Sequence, residues 1–174
     1  KDLTHTSDFF IEENLGKKET LINFLNWVNE HYKAENVILQ FSNHGGGPRS
    51  APRYLKTKDG FTFKIDNSER RAMCWDEESY LSGESFLKTS DVSDALQEAG
   101  YGKDNKLDML LMDVCLGASI EDSYQFKDYA NYMIASPNNI AGMGMNYVDM
   151  IKSFKKASTI ETIGKQLIND FRAY

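Results

Sequence analysis

Apolar positions along the chain change period several times, and each change predicts an element. Leu21, Ile22, Leu25, Val28 and Tyr32 recur at the three- and four-residue spacing of one helix face, so residues 17 to 33 read as an amphipathic helix. Residues 37 to 41 form a mostly apolar run of strand length, which suits a buried parallel strand better than an alternating edge strand. A second such run, 107 to 115, is the strongest strand signal in the chain; it closes on Asp113 and Cys115. Gly117 and a helical pattern over 119 to 132 follow it, then a short strand at 133 to 137. Helical spacing returns at 147 to 157 and 160 to 171. Between the two main strands, residues 72 to 75 read as a short strand, and Asp91 to Leu96 as a capped short helix ending near Gly100. The alternation predicts an α/β protein.

Residues 48 to 71 break the alternation. They are polar and basic (Arg49, Arg53, Lys56, Lys58, Arg70, Arg71), with Asp59-Gly60 as a turn between short extended pieces, so an exposed basic excursion is expected. No internal repeat or low-complexity linker divides the chain, and residues 1 to 174 read as one domain.

Charge narrows the partners. With 20 Lys+Arg scattered among 26 Asp+Glu, a net charge of -6 and a pI near 5.1, the chain lacks the basic face that nucleic acid requires. No apolar run approaches the length of a membrane span. Cys74 and Cys115 are too few for a disulfide framework, or for a zinc site without further ligands.

The candidate chemistry lies at the strand ends. In open parallel sheets, ligands collect beyond the carboxyl ends of the strands, and His44 and Cys115 both sit there. A cysteine attacks as thiolate, and an imidazole titrating near neutrality is a suitable partner. Of the other histidines, His31 falls near a helix C-terminus, where a cation suits the dipole, and His5 lies in an unpatterned stretch. Gly45, Gly46 and Gly47 let backbone N–H groups approach an oxyanion. Spacing alone leaves open that His44-Gly45 merely ends a strand and that Cys115 is a small buried hydrophobe. A serine esterase is excluded, because 117 to 121 reads Gly-Ala-Ser-Ile-Glu, with Glu121 where the nucleophile elbow needs its second glycine.

Asn43-His44-Gly45 after one strand and Asp113-Val114-Cys115-Leu116 after another resemble the histidine-glycine and acid-x-cysteine motifs of clostripain-like (C11) cysteine peptidases, in the clan of caspases, legumains and gingipains. Cys74-Trp75-Asp76-Glu77, residues 121 to 132 and Ile134-Ala135-Ser136-Pro137 extend the resemblance over roughly residues 14 to 157. It implies a caspase-like three-layer αβα fold around a mostly parallel sheet, in a portion of a longer precursor whose N-terminal strands are not in this chain.

The same resemblance implies a dyad without a third member. Cys115 is the nucleophile, His44 the general acid/base, and the amides of Gly45 and Cys115 hold the oxyanion. It further implies cleavage after Arg or Lys, with Asp113 at the pocket that receives the basic side chain and Asp149 as the only candidate for a second acid, since 138 to 146 carry none. Asp113 as a helix cap or partner of a nearby basic group stays open as the plainer reading.

Members of the family are often activated by cleavage between the two motifs, which makes Arg49, Arg53, Lys56, Lys58, Arg70 and Arg71 candidate processing sites; the same charges would equally well solvate a loop. Residues 143 to 147 would line the cleft or pack in the core. Asp76, Glu77 and Glu78 could offer oxygens to calcium, which some relatives use, but a bare triplet does not make a preorganised ring; no other cofactor is expected. Export or cell-surface location and an N-terminal chain of the same precursor completing the sheet are also implied. The competing expectation is a catalytically silent module that binds basic peptides.

Overall fold

The computed structural model describes residues 13–47, 53–57, 60–64, 72–76, 85–142, 144–156 and 159–173. Its elements follow in the order α1 (Lys18–His31), β1 (Ile38–Ser42), β2 (Arg53–Thr57), β3 (Gly60–Lys64), β4 (Ala72–Met73), β5 (Leu87–Lys88), α2 (Thr89–Glu98), β6 (Leu107–Asp113), α3 (Ile120–Phe126), β7 (Ala130–Ala135), α4 (Tyr147–Lys156) and α5 (Ile160–Ala173). The main sheet runs β1-β6-β7 and is parallel throughout.

β6 is apolar along most of its length because it is covered on both faces. Leu110 and Met112, with Leu39 and Phe41 of β1, pack against Leu21 and Leu25 of α1, Val92 and Leu96 of α2 and Phe126 of α3. Met109 and Leu111 point the other way, onto Met150 of α4 and Ile163 and Leu167 of α5. The period-2 alternation of a strand thus divides one apolar run between two helical layers, giving an α/β/α sandwich. Each fully buried Leu contributes roughly 2–3 kcal/mol relative to an exposed one.

Two local signals bound the helices, one at the end of α2 near the expected Gly100 and one at the start of α3. Gly100, at φ 88°, closes α2: its N–H donates to Gln97 O at 3.0 Å and that of Tyr101 to Leu96 O at 2.9 Å, the paired bonds of a Schellman cap. Ser119 caps α3, accepting the Asp122 N–H at 3.0 Å and donating to Asp122 Oδ2 at 2.6 Å.

Other boundaries differ from expectation. The helical pattern of 119 to 132 is helix only to Phe126; strand β7 already begins at Ala130, because Ala130-Asn131-Tyr132 pair along β6 instead of continuing the turn. β6 stops at Asp113, leaving Val114 and Cys115 beyond the ladder, and the strand expected over 72 to 75 is only Ala72–Met73, as Cys74 takes φ 55°. Within the basic excursion, β2 and β3 form an antiparallel hairpin in which Thr57 pairs with Gly60. Arg53 and Lys56 belong to β2; Arg49, Lys58, Arg70 and Arg71 lie outside the described residues, as does His5.

Candidate active site

β1 and β6 are parallel neighbours with Ser42 beside Asp113, so the residues just past their ends emerge together. His44 and Cys115 are those residues, and both line one cleft of about 260 Å³ with Ser42, Asn43, Ile140, Ala141 and Gly142. The two loops touch backbone to backbone: a Cβ on Gly45 would lie 2.1 Å from the Cys115 carbonyl oxygen and 3.0 Å from its nitrogen. Only glycine permits that approach.

The histidine arm is held from several sides. Asn43 N–H donates to Asp113 O at 3.3 Å, and its side-chain amide donates to Trp75 O at 3.1 Å. Gly46 N–H donates to Ala72 O at 2.9 Å and Cys74 N–H to His44 O at 3.0 Å. These two bonds flank Gly45 and Met73 as a non-hydrogen-bonded antiparallel pair, so the N–H of Gly45 points away from Met73. The Trp75 ring stands edge-on to the His44 imidazole, centroids 6.4 Å apart.

The cysteine arm turns sharply. Leu116 has φ 57°, a left-handed conformation costing a non-glycine residue roughly 1–3 kcal/mol, and it is held by its own N–H to Asn138 O at 3.2 Å and by Ala118 N–H to Ser136 O at 3.0 Å. Cys115 is half-buried; its Sγ accepts the N–H of Ile140 at 3.3 Å and lies 3.8 Å from the Ile140 carbonyl oxygen. Ile140 lies far along the chain and carries no sequence signal for this role. Cys74 differs in kind: burial pushes its thiol up to about 12, which makes it an inert structural residue at neutral pH.

The remaining candidates fall in distinct places. Asp113 is buried and accepts the Met145 N–H at 3.0 Å and the Tyr147 hydroxyl at 2.7 Å; it does not border the cleft directly. Asp149 lies in the first turn of α4 and is also absent from the cleft lining; its carboxylate takes the Asn146 amide at 2.9 Å and Lys152 Nζ at 2.8 Å. Tyr147 Oη sits 2.5 Å from Ser42 Oγ, which does line the cleft. His31 stacks on Trp27 with its Nδ1 2.8 Å from Trp27 O, a helix-end role. Ser119 is a helix cap, which disposes of it as a nucleophile. Asp76 accepts the Leu15 N–H at 2.9 Å, while Glu77 and Glu78 lie outside the described residues.

The profile of the Clostripain family matches residues 2–174. The chain belongs to that family. This clostripain-family chain is 30% identical over 153 residues to clostripain of Hathewaya histolytica; that alignment covers 84% of this chain but only 25% of the relative. Its fold is shared with a secreted C11 cysteine protease of Bacteroides thetaiotaomicron solved with an irreversible peptide inhibitor (TM-score 0.65, 20% identity, 91% of this chain and 37% of that one). An inactive zymogen C11 protease of Parabacteroides distasonis matches likewise (TM-score 0.63, 21% identity, 97% of this chain and 39% of that one). The caspase-like arrangement of a parallel sheet between helical layers is therefore the family's own. Among the described residues no helix is long and apolar enough to cross a membrane.

Proposed function

We propose that this chain carries the catalytic site of a cysteine endopeptidase that cleaves peptide bonds after Arg or Lys. The observation that supports it is the meeting of His44 and Cys115 in one cleft, with the Ile140 N–H on the sulfur. The Cys115 thiolate adds to the scissile carbonyl carbon, and the oxyanion takes hydrogen bonds from the amides of Gly45 and Cys115. Collapse breaks the C–N bond, His44 protonates the leaving amine, and the acyl group stays on sulfur as a thioester. Water, deprotonated by His44, then adds to the thioester carbonyl, and the C–S bond breaks to release the acid and regenerate the Cys115 thiolate beside a protonated His44.

Asp113 is the carboxylate that receives the basic side chain; its place beside cleft-lining Ser42 in the sheet, its burial and the family's clostripain relative support this. Asp149 is already paired with Lys152 and rests on the resemblance alone. The structural neighbour described as secreted supports export, and the neighbour described as an inactive zymogen supports activation from a precursor; a cut at a basic residue between the motifs rests on the resemblance. β1 has β6 as its only strand neighbour among the described residues, which supports a further strand from the same precursor completing the sheet.

Fluorogenic peptides ending in Arg, Lys or Asp, incubated with wild type and Cys115→Ala, test the reading. Turnover of the Arg and Lys peptides alone, lost in the variant, is expected; cleavage that persists without the thiol would refute it. Saturable binding of basic peptides with no turnover would point to a silent module instead.

A further inference from the structure

The carboxylate of Asp113 is lopsided. The residue is only 4% exposed, and both its donors sit on Oδ2: the N–H of Met145 and the hydroxyl of Tyr147. Oδ1 is buried and has no hydrogen-bond partner among the described residues. A carboxylate oxygen has about two lone-pair sites, so Oδ2 is filled while Oδ1 is empty. Backbone crowds the filled oxygen as well, since Gly144 takes φ 65° and a Cβ there would lie 2.6 Å from Oδ2.

Tyr147 sets this asymmetry. Asp113 when ionised only accepts, so the phenol donates its one proton to Oδ2 and the Ser42 hydroxyl donates to the phenol oxygen. The order Ser42, Tyr147, Asp113 runs from the cleft wall to the buried charge. Partial burial raises the phenol above its ordinary value, with the Ser42 hydrogen bond opposing and Asp113 adding to the rise, so it stays a donor at neutral pH.

We infer that Tyr147 is a specificity-determining residue that presents Asp113 as a one-oxygen receptor, favouring lysine over arginine before the scissile bond. The inference rests on Asp113 being the receptor proposed above. A guanidinium gains its advantage from two parallel N–H bonds to both carboxylate oxygens. With Oδ2 already occupied, that second bond must displace Tyr147 or Met145. A lysine ammonium is a compact donor that needs only Oδ1, and it supplies the hydrogen bond that this buried oxygen lacks.

Two readouts test it on the same protein: kcat/KM for matched fluorogenic peptides ending in Lys or Arg, and protection of Cys115 from iodoacetamide by lysine amide against arginine amide. The second needs no turnover. Wild type should favour lysine in both. Tyr147→Phe keeps the ring but frees one site on Oδ2, and should shift the Lys/Arg ratio toward arginine by about tenfold, the value of one charge-assisted hydrogen bond. Ser42→Ala leaves the Tyr147–Asp113 bond in place and should hold the ratio within about twofold of wild type. If Asp113→Asn leaves both ratios and both absolute values unchanged, Asp113 is not the receptor and the reading beneath falls. If Asp113→Asn weakens both basic ligands while Tyr147→Phe, folded by thermal melting, leaves the Lys/Arg ratio unmoved, or if wild type favours arginine, the role of Tyr147 alone is overturned.

Discussion

Replacing Gly45 by alanine is the sharpest challenge to the geometry that joins the two arms. The added Cβ would lie 2.1 Å from the Cys115 carbonyl oxygen, and both atoms are fixed by backbone. Carbon and oxygen in ordinary contact stand at least about 3.3 Å apart, so the loops must separate by roughly 1.2 Å. They are poorly placed to yield: Gly46 N–H and His44 O are tied to the segment at Ala72 and Cys74, and Asn43 N–H to Asp113. Overpacking of this kind costs roughly 1–3 kcal/mol of stability. A shift near 1 Å between reacting groups lowers rate by about 100-fold. Gly45→Ala should therefore lose about 100-fold in kcat/KM on a basic fluorogenic peptide while still melting cooperatively, measured by steady-state kinetics and urea unfolding side by side. A folded variant within about threefold of wild-type kcat/KM would refute the claim that this contact sets the distance between His44 and Cys115.

Other consequences can be measured directly. The Cys74 thiol is raised from 9.0 to about 12 in the folded state, so between those values the unfolded chain has lost a proton that the folded chain keeps; stability is retained below pH 9 and lost at up to about 1.4 kcal/mol per unit as pH rises through that window. Urea unfolding of wild type against Cys74→Ala over this range isolates the contribution, and curves that stay parallel would count against the burial of that thiol. Ser119→Ala removes the cap of α3 and one of the donors to buried Asp122, whose Oδ1 also takes the Thr89 hydroxyl at 2.8 Å; a loss of about 1–2 kcal/mol in urea unfolding is expected, and no loss would show the cap to be idle. At neutral pH iodoacetamide should label Cys115 well ahead of Cys74, read by peptide mass spectrometry, and the reverse order would undo the assignment of roles to the two thiols.

Much of the fold was legible because β6 is buried on both faces: five of its seven residues are apolar, Met109 to Met112 without interruption, which leaves few alternatives. The helix faces of α1 and α5 were legible for the opposite reason, since only one side of each is covered. β7 was misread at its start because Tyr132 falls at helical spacing from the residues before it, and only pairing with Met109 decides for a strand. His44 and Cys115 could be found as strand-end residues of the two strongest strands. Ile140 and Tyr147 could not be assigned their contacts, since one acts through a main-chain N–H and the other through a hydroxyl that reaches two residues far away in sequence. Asp113 was found by its place before Cys115, but its burial and uneven hydrogen bonding depend on the return of residues 144 to 147, which no local pattern announces.

The sheet carries its two arms unequally. β6 has a strand on either side and helices above and below, whereas β1 is laddered to β6 alone among the described residues. Amide exchange should accordingly be slowest along Leu107–Asp113 and faster along Ile38–Ser42. Partial melting would then detach the imidazole first, leaving a sulfur still seated on an intact platform.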